Sequence, residues 1–140
     1  MAIVHGLTDS FKKELLEGAH NFTGYHTFKL ALYSSDADLG PDTTAYTATG
    51  EISGTGYSAG GASLTPVTPA VASGVAYVDF ADVSWTSSTF TARGALIYNS
   101  SASNAAVAVL NFGSDRSCSA STFTITFPSA SPLDAIIRIR

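Results

Sequence analysis

Two apolar runs joined by a short polar segment constrain this chain more than any other feature. Residues 89–99 read Thr-Phe-Thr-Ala-Arg-Gly-Ala-Leu-Ile-Tyr-Asn, Ser100 to Asn104 follow, and residues 105–112 read Ala-Ala-Val-Ala-Val-Leu-Asn-Phe. Such runs around a polar turn predict a β-hairpin. Side chains alternate across a strand, so Phe90, Ala92, Gly94, Leu96 and Tyr98 are expected on one face and Thr91, Arg93, Ala95 and Ile97 on the other. In the second run Val107 and Val109 stand against Ala108, Leu110 and Phe112. Both faces of both strands are partly apolar, as in the middle of a sheet that is covered on each side. With no histidine, cysteine or acid pair in it, this hairpin predicts scaffold rather than chemistry.

The whole chain, 140 residues, is consistent with one domain, large enough to bury a core without disulfide staples. Only 13% of residues are charged while 45% are hydrophobic, so much of the surface must be Ser, Thr, Ala and Gly. Sparse charge favours association, which suits a protein with a permanent partner as well as it suits an ordinary Thr-rich β-protein. Eleven acids against seven Lys and Arg give a net charge of −4 without any basic block, which excludes a nucleic-acid footprint. No run approaches the ~20 apolar residues of a membrane span, and the opening lacks signal-peptide blocks, so no membrane partner and synthesis in a cytoplasm are expected. Cys118 is the single cysteine and is expected to be inert.

The region about 9–17 predicts one short helix: Thr8 or Asp9 caps it, Phe11 and Leu15 share a face, and Gly18 stops it. That face must dock on this domain's own sheet or on a neighbouring subunit. Thr27 to Tyr33 alternates as a half-buried strand, with Phe28, Leu30 and Leu32 inward. Residues 34–63 are Gly, Ser, Thr, Asp and Ala with isolated aromatics, a composition that predicts an exposed loop or an arm ordered against a partner. Pro66 and Pro69 assign Leu64 to Val71 to a sheet edge or bulged strand. Val75 to Phe80 follows across a Ser73-Gly74 turn. Val83 to Trp85, the hairpin, Phe123 to Phe127 and Asp134 to Arg140 complete seven or eight strands. The fold class expected is all-β: residues 1–140 form a single-domain antiparallel β-sandwich or jelly roll with one short N-terminal helix.

No catalytic constellation emerges, and no cofactor is called for. Gly56-Tyr57-Ser58-Ala59-Gly60 matches a nucleophile elbow in letters only: no helix follows it, and His5, His20 and His26 all precede the serine. Asp36, Asp38 and Asp42 invite a calcium reading but lack the rest of a calcium loop, so acidic turn residues account for them better. The histidines lack zinc-ligand spacing. Tyr25, Tyr33, Tyr46, Tyr57 and Trp85 are rings able to stack on sugars or anchor an interface, Tyr46 and Tyr57 favouring an interface and Trp85 packing. The candidate interface residues are Phe11, Leu15, Tyr46, Tyr57, Arg138 and Arg140.

Four stretches carry a resemblance that runs nearly end to end. They are Met-Ala-Ile-Val-His-Gly-Leu-Thr-Asp-Ser-Phe-Lys-Lys-Glu-Leu-Leu at the start, Ala-Tyr-Thr-Ala-Thr-Gly-Glu-Ile-Ser-Gly-Thr-Gly-Tyr-Ser-Ala-Gly-Gly at 45–61, Thr-Ala-Arg-Gly-Ala-Leu-Ile-Tyr-Asn at 91–99 and Asp-Ala-Ile-Ile-Arg-Ile at 134–139. Together they resemble small virion proteins of tailed bacteriophages, taken either as capsid cement (decoration) proteins or as small tail-fibre proteins. The cement resemblance implies a non-enzymatic, jelly-roll-like protein on the outer surface of the virion head. It would clamp neighbouring copies of the major capsid protein, as a homodimer or, alternatively, a homotrimer. The rivals are a tail-fibre or tail-tip component and, from a different class, a carbohydrate-binding β-sandwich module.

Overall fold

Residues 2–140, which the computed structural model describes, form β1 (Gly6–Leu7), α1 (Asp9–Leu16), β2 (Phe28–Tyr33), β3 (Ala62–Ser63), β4 (Ala70–Ala72), β5 (Val75–Val78), β6 (Val83–Asn99), β7 (Ala105–Ile125) and β8 (Ile137–Ile139). They make two antiparallel sheets, a five-stranded one in the order β1-β7-β6-β2-β3 and a three-stranded one in the order β4-β5-β8. The chain is an all-β sandwich with one short helix.

The expected hairpin is present but is only the middle of a longer one. Val83 to Trp85 belongs to the same 17-residue strand as residues 89–99, and Phe123 to Ile125 ends the 21-residue β7. Four register shifts interrupt the pairing: between Trp85 and Ser88, Ser88 and Phe90, Ala92 and Gly94, and Ile97 and Tyr98. The first leaves an extra residue on β6 and the other three leave extra residues on β7, and regular alternation across the ladder is broken at each. The expected common face of Phe90, Ala92, Gly94, Leu96 and Tyr98 is therefore wrong. Phe90 and Ala92 pack with Ala95 and Ile97 in the main core, whereas Leu96 and Tyr98 pack with Ile3, Tyr33 and Leu39 on the other side of the sheet. Val107 and Val109 are likewise divided, Val107 entering the main core and Val109 the second cluster.

The same bulges curl the hairpin. Phe112 and Phe123 are eleven residues apart on one strand, a separation of roughly 36 Å if the strand were straight, yet their rings are 6.4 Å apart. Trp85, Phe90 and Phe123 are thereby folded back over the proximal half of the same hairpin, with Phe90 and Phe123 5.0 Å apart. The curled hairpin thus flanks the core with both its halves, and the three-stranded sheet through Val78 and Ile137, α1 through Phe11 and the connector after it through Phe22 complete the cover.

Local chemistry explains the smaller elements. The Thr8 hydroxyl accepts from the Phe11 amide at 3.3 Å, capping α1, and donates to the Ala106 carbonyl at 3.3 Å, fixing the helix to β7. Gly18, at φ 74°, ends the helix while the Ala19 amide reaches back to the Glu14 carbonyl. Ser73 and Gly74, both at positive φ, make the two-residue turn between β4 and β5. β4 is an edge strand, as the prolines before it predict, but of the expected Leu64 to Val71 it takes only Ala70 and Val71.

Residues 34–63 depart from the expected free arm. The segment is folded against β2: Ile52 donates to Leu32, Ser34 to Gly50, and Ala37, Leu39 and Ile52 are buried. At Gly61 (φ 80°) the backbone passes so close that a Cβ would sit 1.8 Å from the Leu30 carbonyl oxygen, and only glycine fits there.

Candidate interaction surfaces

Glu51 is what holds the Gly- and Thr-rich segment down. One carboxylate oxygen accepts from the Tyr46 hydroxyl at 2.6 Å; the other accepts from the Tyr57 hydroxyl at 2.6 Å and the Gly60 amide at 2.7 Å. The Tyr57 hydroxyl in turn accepts from the Leu32 amide at 2.9 Å, tying the cluster to β2. Tyr46 stacks on Tyr98 at 4.9 Å, and the Tyr98 hydroxyl donates to the Gly60 carbonyl at 2.7 Å. Burial and the bond to Glu51 push the Tyr46 phenol up to about 12. Burial, then the same carboxylate, also raises Tyr57, and burial raises Tyr33 and Tyr98. Tyr46 and Tyr57, expected at an interface, are thus engaged within the chain. Trp85 is only 7% exposed, packed between Tyr57, Phe90 and Phe123, so Tyr46, Tyr57 and Trp85 offer no platform for stacking a sugar, whereas Tyr25 is 83% exposed.

Phe11 corrects another expectation. Fully buried between His20 and Phe22, it docks the helix on this chain's own core and presents nothing to a partner. Beside it, His20 is enclosed: its Nε2 donates to Glu14 at 2.9 Å and its Nδ1 accepts from the Asn99 amide at 3.0 Å. The second Asn99 N–H reaches His26 Nδ1 at 3.0 Å, which also accepts from the Asn21 amide. The cluster joins the connector after α1 to the end of the hairpin, which is a structural task. Asp36, Asp38 and Asp42 are exposed, and among the described residues no three His, Cys, Asp or Glu are gathered to hold a metal.

Leu15 and the arginines lie beside surfaces that the rest of the chain leaves open. The inner face of the three-stranded sheet packs on the core through Val78 and Ile137, then runs past the core's edge. Val71, Ala76 and Ile139 stand in register across β4, β5 and β8 and are exposed, Val71 at 73% and Ile139 at 52%. Leu15, Phe22 and Pro69 line the shallow apolar cleft beside this row. On the other side of β8, a groove of ≈ 720 Å³ opens between the two curled halves of β7 and residues 134–138. Leu110, Phe112, Phe123 and Phe127 form its apolar lining, and His5, Arg116, Asp134 and Arg138 also line it. Arg140 is exposed one strand period beyond Arg138.

Comparison with family models, with curated proteins and with solved structures finds no match to this chain.

Alternation along Ala135 to Arg140 shows in the sequence that Ile137 and Ile139 oppose Arg138 and Arg140. Arg116 and His5, by contrast, reach the groove only through the curl of β7, and no local pattern marks them.

Proposed function

We propose that this chain is a non-enzymatic structural protein of a tailed-bacteriophage particle, a cement protein that binds the outer surface of the mature head and clamps neighbouring major capsid proteins. The observation that carries the reading is the exposed row Val71, Ala76 and Ile139 continuing the inner face of a sheet. A sheet face that is apolar beyond the edge of its own core is a surface built to be covered. The preformed body supports the same role, because its 34–63 segment is ordered by internal bonds and a rigid body loses little entropy on docking. Burying ~800 Å² per partner makes one such contact specific. A homodimer engaging two capsid subunits makes its second contact intramolecularly, so modest patches give strong retention. Head stability then rises by mass action.

The test is reconstitution. Heads assembled without this protein are mixed with the purified chain, separated from unbound material, and heated while genome release is followed. Wild-type protein should co-sediment with heads and raise the release temperature; a Val71→Asp/Ile139→Asp variant, folded by circular dichroism, should do neither. Protein that ignores heads but is found on tails by immunogold labelling defeats the proposal.

A further inference from the structure

We infer that the groove between β7 and residues 134–138 receives an extended, acid-bearing apolar segment of a partner protein, which adds as a strand to the open edge of β7. Three independent observations meet there. The outer edge of β7 is occupied only at its start: by residue 45 opposite Ala105, by β1 opposite Ala108 and Val109, and by Ile3 and His5, which bond the Asn111 side chain and amide. From Phe112 to Ile125 no strand among the described residues pairs with it. Long edges are ordinarily blunted by charges, proline or bulges, or covered; from Ser117 to Ile125 this edge has neither charge nor proline, and only the bulge at Ala120 (φ 46°) interrupts it.

The groove borders both ends of that edge, at Phe112 and Arg116 and at Phe123 to Ile125, and Leu110, Phe112, Phe123 and Phe127 are among its apolar lining. An added strand places alternate residues into it and leaves the others to solvent.

Charge selects the sign of the guest. On a chain of net charge −4, Arg116, Arg138 and His5 converge at this groove. Arg116 donates to the Phe112 carbonyl at 3.4 Å and Arg138 to the Leu133 carbonyl, and neither has a carboxylate partner among the described residues, whereas Lys12, Lys13 and Arg93 each do. The one acid in the lining, Asp134, already accepts from Ser131 at 3.1 Å. Two guanidinium groups without a carboxylate partner, beside a trough of mixed polar and apolar lining, match alternating apolar and acidic residues. A small amphipathic acid would satisfy trough and charge but leave the β7 backbone edge unpaired, which favours a polypeptide.

The inference is independent of the capsid reading and is tested on the isolated full chain. Isotope-labelled protein is titrated to millimolar concentrations with acetyl-Val-Glu-Val-Glu-Val-Glu-amide, with the lysine counterpart, and with decanoate. The glutamate peptide should shift amide resonances of residues 110–127 and 134–138, and an Arg116→Glu/Arg138→Glu variant should bind it about tenfold more weakly. Both arginines are exposed, so this variant keeps the fold, which its unchanged remaining spectrum verifies. The proposal is overturned by no response at millimolar peptide, by an equal response to the lysine peptide, by shifts centred elsewhere, or by decanoate binding more tightly at the same residues. Sedimentation showing a dimer that the double variant dissociates would place a second copy on this edge and overturn it equally.

Discussion

Removing the Glu51 carboxylate should loosen the 34–63 segment without disturbing the hairpin. Glu51→Ala deletes three acceptor contacts, to Tyr46, Tyr57 and the Gly60 amide, all 2.6–2.7 Å long. Hydrogen bonds to a charged group are worth about 1.5–3 kcal/mol each. Glu51 is only half-buried and Tyr57 keeps its bond from Leu32, so the low end applies, and losses within one network overlap. The expected cost is about 3 kcal/mol, which at a urea dependence of ~2 kcal/mol/M lowers the unfolding midpoint by about 1.5 M. Glu51→Gln should cost far less, about 1 kcal/mol. Its amide oxygen can face Tyr57 and Gly60, while its NH₂ donates to the Tyr46 hydroxyl, which rotates its own proton toward solvent. Tyr57→Phe leaves the Leu32 amide without a partner and should fall between the two, at about 2 kcal/mol. Urea melts of the three variants, with a double-mutant cycle between positions 51 and 57, measure these differences. A cost below 1 kcal/mol for Glu51→Ala, or no coupling in the cycle, would refute the role given to this carboxylate.

The same cluster sets an alkaline limit. Tyr46 is raised from its ordinary 10.0 to about 12, so the stabilisation linked to its proton is complete below the ordinary value and is lost as pH climbs between the two. Absorbance titration should show this phenol ionising only as the protein unfolds, and smooth ionisation of all six tyrosines near 10 in folded protein would contradict it. Asp79 is buried; its Oδ1 accepts from the Phe80 amide, its Oδ2 makes no well-formed hydrogen bond, and burial, with the nearby charge of Asp82, raises its carboxyl against the opposing pull of the Phe80 and Ile136 amides. The raised acid favours the native state most when protonated, so Asp79→Asn should stabilise by about 1 kcal/mol at neutral pH. That gain should shrink as pH falls toward the ordinary value of 3.8; a gain that persists in acid would show that charge is not its cause. Gly61→Ala forces a Cβ onto the Leu30 carbonyl at a positive φ and should cost upwards of ~3 kcal/mol, read by thermal melting.

The β-sandwich and its helix were legible because apolar runs, caps and turn residues act locally. Ser73-Gly74, the Gly18 stop and the inward set Phe28, Leu30 and Leu32 all declare themselves within a few residues, although β2 is not half-buried as expected, since Ala31 and Tyr33 are buried on its other face. Strand phase in β6 was not legible, because a bulge shifts alternation without altering composition; Gly94 and Gly113, isolated within strand patterns, were the available hints. The 34–63 segment reads as an arm because its order depends on one acid meeting two tyrosines and an amide from its own loop, and composition does not encode that meeting. Phe11 was expected at an interface and is core instead, because an amphipathic turn carries no mark of whether the surface it docks on belongs to its own chain. Arg138 and Arg140 were found by alternation, while Arg116 depended on curvature.

The curled hairpin also bears on how the chain reaches its native state. β6 and β7 meet across Ser100 to Asn104, a loop closed at small entropic cost, and pairing can extend outward from it before any distant segment is recruited. Coiling of that ribbon then folds its distal half over its proximal half, and the three-stranded sheet is added by the connections after β3, β5 and β7. Native-state hydrogen exchange should accordingly find the slowest amides in residues 94–99 and 105–110, with β4, β5 and β8 opening first as a separate unit.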